Sequence, residues 1–258
     1  MIPVFVISLA DSIDRRNSIT NHLHTLGIPF EFVDAVDGRK GLPTEYEDQI
    51  DRRESLRRGR KLSDVEFACA LSHIKIYQKI VSSNIPWALI LEDDAFPHFD
   101  LVQYLENRCF EDAQLTQLIY GMPIFVHRRG QNFIFGKFRS YICSSAKVPR
   151  LTVGYVISNY AAKYLLDHGT PVTNTADWPN CISKLIKNKN FRIVHPPLIH
   201  HTEMQESIID QYGRYEERKS KRRFLGIYIP PKQGIIDTLI RSPHKLFSKR
   251  INSLEIKG

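Results

Sequence analysis

Apolar residues in this chain cluster in short runs separated by polar or turn-forming stretches. Residues 3–9 (PVFVISL), 28–35 and 87–91 (WALIL) read as buried strands. Between the first two, Asp11 or Ser12 can cap a helix that runs through Leu23 and Leu26, and Gly27 can stop it. Strand, helix and strand in this order predict a βαβ unit and hence a parallel sheet. Residues 40–61 are polar and Arg-rich, the pattern of a mobile surface insertion. Ser63-Asp64-Val65-Glu66 is a capping box, since Ser63 and Glu66 can each satisfy an N–H that the first helical turn leaves over. The helix it opens is expected to reach about Ser83.

Downstream, the pattern predicts a helix over 100–108, a strand over 117–120 and a hairpin over 121–141. A strand over 152–157 follows, then a helix capped by Ser158 and stopped at Gly169. A further helix is expected from Asp177 towards Lys187. A last strand over 191–194 leads into His195-Pro196-Pro197-Leu198-Ile199-His200-His201. No internal repeat is present. The fold expected is α/β: one domain over residues 1–210 with a mostly parallel central sheet, followed by a C-terminal extension over 211–258.

Composition supports that division. The chain has 258 residues, 42% hydrophobic and 25% charged, ordinary for a globular protein with a proper core. Its net charge of +8 is unevenly placed. Residues 1–210 carry 24 Lys+Arg against 24 Asp+Glu, whereas residues 211–258 carry 12 against 4, so 12 − 4 accounts for the whole excess. The extension mixes Arg-Lys-Ser-Lys-Arg-Arg (218–223) with Phe224, Leu225, Ile227 and later apolar residues. Basic and apolar residues together suit an anionic lipid surface. Cys69, Cys109, Cys143 and Cys181 form no CxxC pair and read as reduced thiols of a cytosolic protein. The apolar start lacks a basic leader region, and no apolar run is long enough to span a bilayer.

The candidate chemistry lies at Glu92-Asp93-Asp94, directly after the apolar run 87–91. Ligands of open α/β sheets gather at the carboxyl ends of strands. Adjacent carboxylates repel and raise one another's pKa unless a cation lies between them. A hard divalent cation such as Mn²⁺ or Mg²⁺ removes that cost and can bridge to a diphosphate. Alone, such a triplet is more often a solvated acidic turn or helix cap. Its place after a buried strand of a βαβ context favours the cation site.

Several segments together resemble glycosyltransferase family twenty-five, bacterial lipooligosaccharide enzymes with related domains in collagen-modifying transferases. They are Phe5-Val6-Ile7-Ser8-Leu9 with Asp14-Arg15-Arg16; Phe32-Val33-Asp34-Ala35-Val36-Asp37-Gly38; Ala68-Cys69-Ala70-Leu71-Ser72-His73; Ile90-Leu91-Glu92-Asp93-Asp94; and Thr152-Val153-Gly154-Tyr155-Val156-Ile157-Ser158. The resemblance runs over roughly residues 3–210. It implies a GT-A-like fold, a UDP-sugar donor, a divalent metal and inversion at the anomeric carbon. Galactose is the sugar most often moved by bacterial members, onto a lipooligosaccharide acceptor; glucose is the alternative.

By that resemblance, Ser8, Leu9, Ala35 and Asp37 frame the nucleotide, and Arg15 and Arg16 meet an anion at the first helix. Ser72, His73, Glu92 and Asp93 lie along the donor, and Gly154 and Tyr155 line the sugar pocket. Asp94 is the expected metal ligand. A second ligand is expected from His200-His201, with His201 favoured; successive residues of an extended chain point oppositely, so one of the pair should face the metal. Asp177 is the candidate general base, with Trp178 beside it as a stacking face, though Asp177 also suits a plain helix cap. Arg128, Arg129, Lys137 and Arg139, interleaved with Phe133, Phe135 and Phe138, read either as an acceptor surface or as the exposed face of a hairpin.

The cytoplasmic face of the inner membrane is the expected location, reached through the basic extension. No obligate protein partner is implied. A nucleic-acid-binding protein using that extension is the alternative from another class, but no zinc, helix-turn-helix or RNP pattern accompanies the charge. Nucleotidyltransferases and metal phosphohydrolases also use clustered carboxylates.

Overall fold

The computed structural model describes residues 1–57, 61–120, 124–144, 150–179, 181–201 and 248–251. The basic segment 211–247 lies outside the described residues, as do the side chains of Arg128 and Arg129. In chain order the elements are β1 (Val4–Ser8), α1 (Ile13–Thr25), β2 (Glu31–Asp34), a 3-10 turn (Thr44–Gln49), α2 (Arg52–Arg57), α3 (Asp64–Ser82), β3 (Trp87–Glu92), β4 (Ala95–Pro97) and α4 (Asp100–Glu106). They continue with β5 (Leu115–Gln117), β6 (Ile124–Phe135), β7 (Phe138–Cys143), β8 (Gly154–Ser158), α5 (Asn159–Gly169), α6 (Ile182–Lys187), β9 (Phe191–His195), β10 (Ile199–His201) and β11 (Ser248–Ile251).

Nine strands make one sheet in the order β11-β6-β7-β9-β5-β8-β3-β1-β2. The pairings run β1, β2, β3, β5, β6 and β9 one way and β7, β8 and β11 the other. The sheet is therefore largely parallel in direction, but β8 is inserted antiparallel between β3 and β5. The expected βαβ unit is present as β1-α1-β2, with Ser8 opposite Asp34.

Both faces of the sheet are buried, which is why its central strands are apolar throughout rather than alternating. Phe5, Ile7, Ala88, Ile90, Tyr155 and Ile157 face the layer of α3, α5 and α6. Val4, Val6, Leu89, Leu91 and Val156 face the layer of α1 and α4. This alternation by single residues is the period of two that a pleated strand imposes.

The local signals behave as their chemistry dictates. Gly27 ends the first helix region at φ +66, where a Cβ would be strained. The Ser63 hydroxyl accepts from the Glu66 N–H and the Glu66 carboxylate accepts from the Ser63 N–H, completing the capping box. Ser158 caps α5 by accepting from the Ala161 N–H at 3.1 Å. The hairpin β6–β7 turns at Gly136, φ +48.

Three expectations are corrected. The described part of residues 40–61 is not a loose insertion: Leu42 and Ile50, with Leu62 just after the segment, are buried in the α3-side core, and Ile50 bridges to Val172. Two apolar anchors within an otherwise polar segment, and a third at its end, hold it down. Asp177 does not open a helix, because α6 begins only at Ile182. The expected strand 117–120 is shifted to Leu115–Gln117.

The capping box sets the start of the helix that carries Cys69, Ser72 and His73. Ser63→Ala is expected to cost about 1 kcal/mol, read as a lower urea midpoint with unchanged m-value.

Candidate functional site

The candidate site is assembled at the carboxyl ends of β1 and β3. Asp93 and Asp94 follow β3 directly and are drawn inward, Asp94 to 8% exposure. Burying two adjacent carboxylates requires nearby positive charge. Arg15, in the first turn of α1, supplies it: its Nη2 lies 2.5 Å from Asp93 Oδ1 and 2.9 Å from Asp94 Oδ2. The Ser8 hydroxyl, at the end of β1, donates to Asp93 Oδ2 at 2.7 Å.

A second cation-forming group comes from an element too short to read in the sequence. β4 and β10 pair antiparallel as a separate two-stranded ladder, with Ala95 opposite His201. That register sets His201 Nε2 3.1 Å from Asp94 Oδ2. His200 points elsewhere, towards His98 at 6.5 Å between ring centroids. As alternation requires, one of the pair faces the aspartates and the other turns away, and here it is His201 that faces Asp94.

The two aspartates titrate apart. Burial pushes the Asp93 carboxyl up to about 6, against the Arg15 charge and the Ser8 hydrogen bond, with Asp94 and Glu92 adding to the rise. Burial also opposes ionisation of Asp94, but the hydrogen bond from His201 and the Arg15 and His201 charges outweigh it, and its carboxyl lies below the ordinary value. His201 is correspondingly raised, first by its bond to Asp94. Burial, His98 and Lys137 lower His200.

Beside the aspartates a cleft of about 620 Å³, open to solvent, is lined by Ser8, Leu9, Arg15, Ala35, Asp37, Ser72, His73, Glu92 and Asp93 among others. These are most of the donor-side residues expected from the sequence. Gly38 lets its wall approach α3, since a Cβ there would lie 2.5 Å from the Asp64 carbonyl oxygen. Ser72 ties the wall to α3: its hydroxyl accepts from the Val36 N–H at 2.9 Å and donates to the Ala68 carbonyl at 2.7 Å. Asp37 is engaged by Arg39 through Nε at 2.9 Å and Nη2 at 2.8 Å, and these bonds hold its carboxyl low. Arg39 and Cys69 also line the cleft and were not singled out in the sequence.

Other expected residues lie apart from it. Arg16 braces the framework: it donates to the Leu9 carbonyl at 3.0 Å and the Ser8 carbonyl at 3.0 Å, and pairs with Asp34. Tyr155 is fully buried and reaches the site through His73 Nδ1, 2.7 Å from its hydroxyl. Gly154 serves packing: a Cβ there would lie 2.2 Å from Ile199 Cδ1, at the start of β10. Asp177 accepts from the Leu151 N–H at 3.0 Å and is not part of the cleft lining. Trp178 is no stacking face; it is 5% exposed, edge-on to Tyr155, and donates to Gln117 Oε1 at 3.1 Å.

The site is thus a strand-end acidic pair held by an arginine and a histidine beside an open cleft. Sequence comparison defines the class further. The family described as Glycosyltransferase family 25 (LPS biosynthesis protein) matches residues 1–178, more than half the chain, and this protein belongs to it. It is similar to the lipooligosaccharide biosynthesis protein lic2B of Haemophilus influenzae, 30% identical over 66% of this chain and 64% of that one. It is also similar to the lacto-N-neotetraose biosynthesis glycosyltransferases LgtE of Neisseria meningitidis serogroup B, 25% identical over 86% of this chain and 78% of that one, and LgtB of serogroup A, 31% identical over 63% and 59%. The chain thus spans less than two thirds of the length of several of the curated relatives it matches.

The contact of Gly154 with Ile199 predicts a repairable defect. Gly154→Ala should destabilise the fold by roughly 1–3 kcal/mol and disturb the β10 segment that carries His201. Adding Ile199→Ala should return part of the lost melting temperature. A double variant no more stable than the single one would place the strain elsewhere.

Proposed function

We propose that this protein is an inverting, metal-dependent hexosyltransferase that moves a sugar, galactose in the favoured reading, from a UDP-sugar to a lipooligosaccharide acceptor. The observation that carries the reading is the meeting of Asp94 Oδ2 and His201 Nε2 at 3.1 Å beside a cleft lined by Ser8, Asp37, Ser72 and Asp93. Family membership and relatives named for lipooligosaccharide and lacto-N-neotetraose synthesis point the same way.

The residues suit a divalent cation. Asp94 and His201 come from different elements, face each other and are one oxygen and one nitrogen donor, a set Mn²⁺ accepts. Mn²⁺ or Mg²⁺ held there would neutralise charge developing on the leaving diphosphate. Arg15 orients both aspartates, Ser8 fixes Asp93, and Ser72 keeps the 35–38 wall in place. An inverting reaction also needs a base on the acceptor hydroxyl. Asp177 fills that role in this reading; one oxygen is held by the Leu151 N–H, which fixes the carboxylate.

A screen of UDP-sugars with Mn²⁺ and a short lipooligosaccharide acceptor tests the assignment. One donor should support acceptor-dependent UDP release, lost on chelation and reduced more than 100-fold in Asp94→Asn and His201→Ala. Release indifferent to acceptor would instead favour a phosphohydrolase. Asp177→Asn keeps an acceptor for the Leu151 N–H, so it isolates the charge. It should abolish transfer and leave UDP binding intact; retained turnover removes Asp177 from the mechanism.

A further inference from the structure

We propose that Cys69, His73 and Glu92 form a second metal site, one that takes a borderline-soft ion such as Zn²⁺ and opens onto the donor-side cleft. Cys69 and His73 are four residues apart on α3 and so lie on one face of the helix, while Glu92 ends the adjacent strand β3. One ligand atom of each, the Cys69 Sγ, a His73 ring nitrogen and a Glu92 oxygen, all lie within 4.8 Å of one another. His73 Nε2 stands 3.4 Å from Glu92 Oε1. That separation matches an edge of a tetrahedron built on zinc bonds of about 2.0–2.2 Å, which puts such atoms roughly 3.4 Å apart.

The histidine is prepared for ligation. Its side chain is 4% exposed, and Nε2 makes no hydrogen bond despite its closeness to Glu92. A buried ring nitrogen without a hydrogen bond is costly unless something else approaches it. Nδ1 is engaged by the Tyr155 hydroxyl at 2.7 Å, and that hydroxyl meets the Tyr77 hydroxyl at 2.9 Å. With Nδ1–H donating to Tyr155, the Nε2 lone pair is directed at the site. Orientation of a ligating histidine by a partner on its other nitrogen is the usual support of a metal centre. Glu92 is likewise held, its Oε1 accepting from the Thr152 hydroxyl at 2.9 Å.

All three residues line the cleft, so three protein ligands leave a fourth position facing it. Thiolate and imidazole favour Zn²⁺ over Mg²⁺ or Mn²⁺, which separates this site chemically from Asp94 and His201. On binding, the Cys69 thiol releases its proton to solvent and the sulfur becomes a thiolate ligand. This site does not depend on the donor assigned above.

The test uses the full chain, reduced and free of any tag. Competition with a chromophoric chelator should show one tight Zn²⁺, and Co²⁺ in its place should give visible bands of a tetrahedral ion with a near-ultraviolet thiolate charge-transfer band. Cys69→Ser should abolish the charge-transfer band and weaken Zn²⁺ more than about tenfold, since loss of even a supporting partner costs about 10–100-fold. Glu92→Gln should weaken Zn²⁺ while keeping the thiolate band. His201→Ala should leave both readouts unchanged, and melting of the metal-free variants reports whether they fold. An octahedral Co²⁺ spectrum without the thiolate band, or binding lost in His201→Ala and kept in Cys69→Ser, overturns the proposal.

Discussion

The site depends on one electrostatic constraint: two adjacent carboxylates, Asp93 and Asp94, are held in a largely buried position at the end of β3. Such a pair is unfavourable without compensation, because burial and mutual repulsion both oppose ionisation. Arg15 bridges the two, and the surrounding architecture serves to deliver it and its companions. β1 brings Ser8 to Asp93, α1 starts early enough to aim Arg15 inward, and the β4–β10 ladder brings His201 to Asp94. Arg16, next in sequence to Arg15, turns the other way and binds β1 to β2. Neighbouring arginines on one helix thus divide between framework and site.

Packing on both faces of the sheet fixes that delivery in space. α3 lies on one face and contributes Ser72 and His73, while α1 lies on the other and contributes Arg15. Between them β3 can present side chains in only two directions, and its end therefore marks where the layers meet. The same packing explains Gly154. It lies opposite Leu91 on the neighbouring strand, and its missing Cβ is the space that Ile199 occupies. A residue expected to face a sugar instead lets the His201 segment sit close to the sheet.

Legibility in the sequence followed the range of each interaction. Ser63-Glu66 and Ser158 were readable because a cap is a contact within a few residues. The buried strands were readable because both their faces are apolar. Asp93, Asp94 and Arg15 were assigned to one site through the family resemblance; the β1–β3 pairing that brings them together lies outside the β1-α1-β2 pattern and is a long-range contact. Strand alternation says that one of His200 and His201 faces Asp94, but the preference for His201 came from the family resemblance, because alternation alone does not say which. β4 and β10, three residues each, carry too little pattern to be seen, yet they decide where His201 points. Residues 40–61 misled because composition averages over a segment, whereas Leu42 and Ile50 act singly, as does Leu62 just beyond it. Trp178 misled because an aromatic beside an acid resembles a sugar platform; its positive φ of 67 and its bond to Gln117 turn it into the core, which no local rule foretells.

The charge balance of the cleft bears on how donor and cation would meet. Glu92, Asp93 and Asp94 place three carboxylates at or beside it, against which stand the Arg15 guanidinium and His201, whose basicity its bond to Asp94 raises. Arg39 adds little, since Asp37 and Asp11 both bind it. A diphosphate approaching this wall meets net negative charge, and field lines in a partly enclosed cleft are poorly screened. Under the proposed function, this wall would disfavour an anionic donor that arrives alone and favour one that shares a divalent cation with Asp94 and His201. In the proposed reaction, donor and metal affinities are then linked in both directions, because each supplies the charge that makes the other's position tolerable.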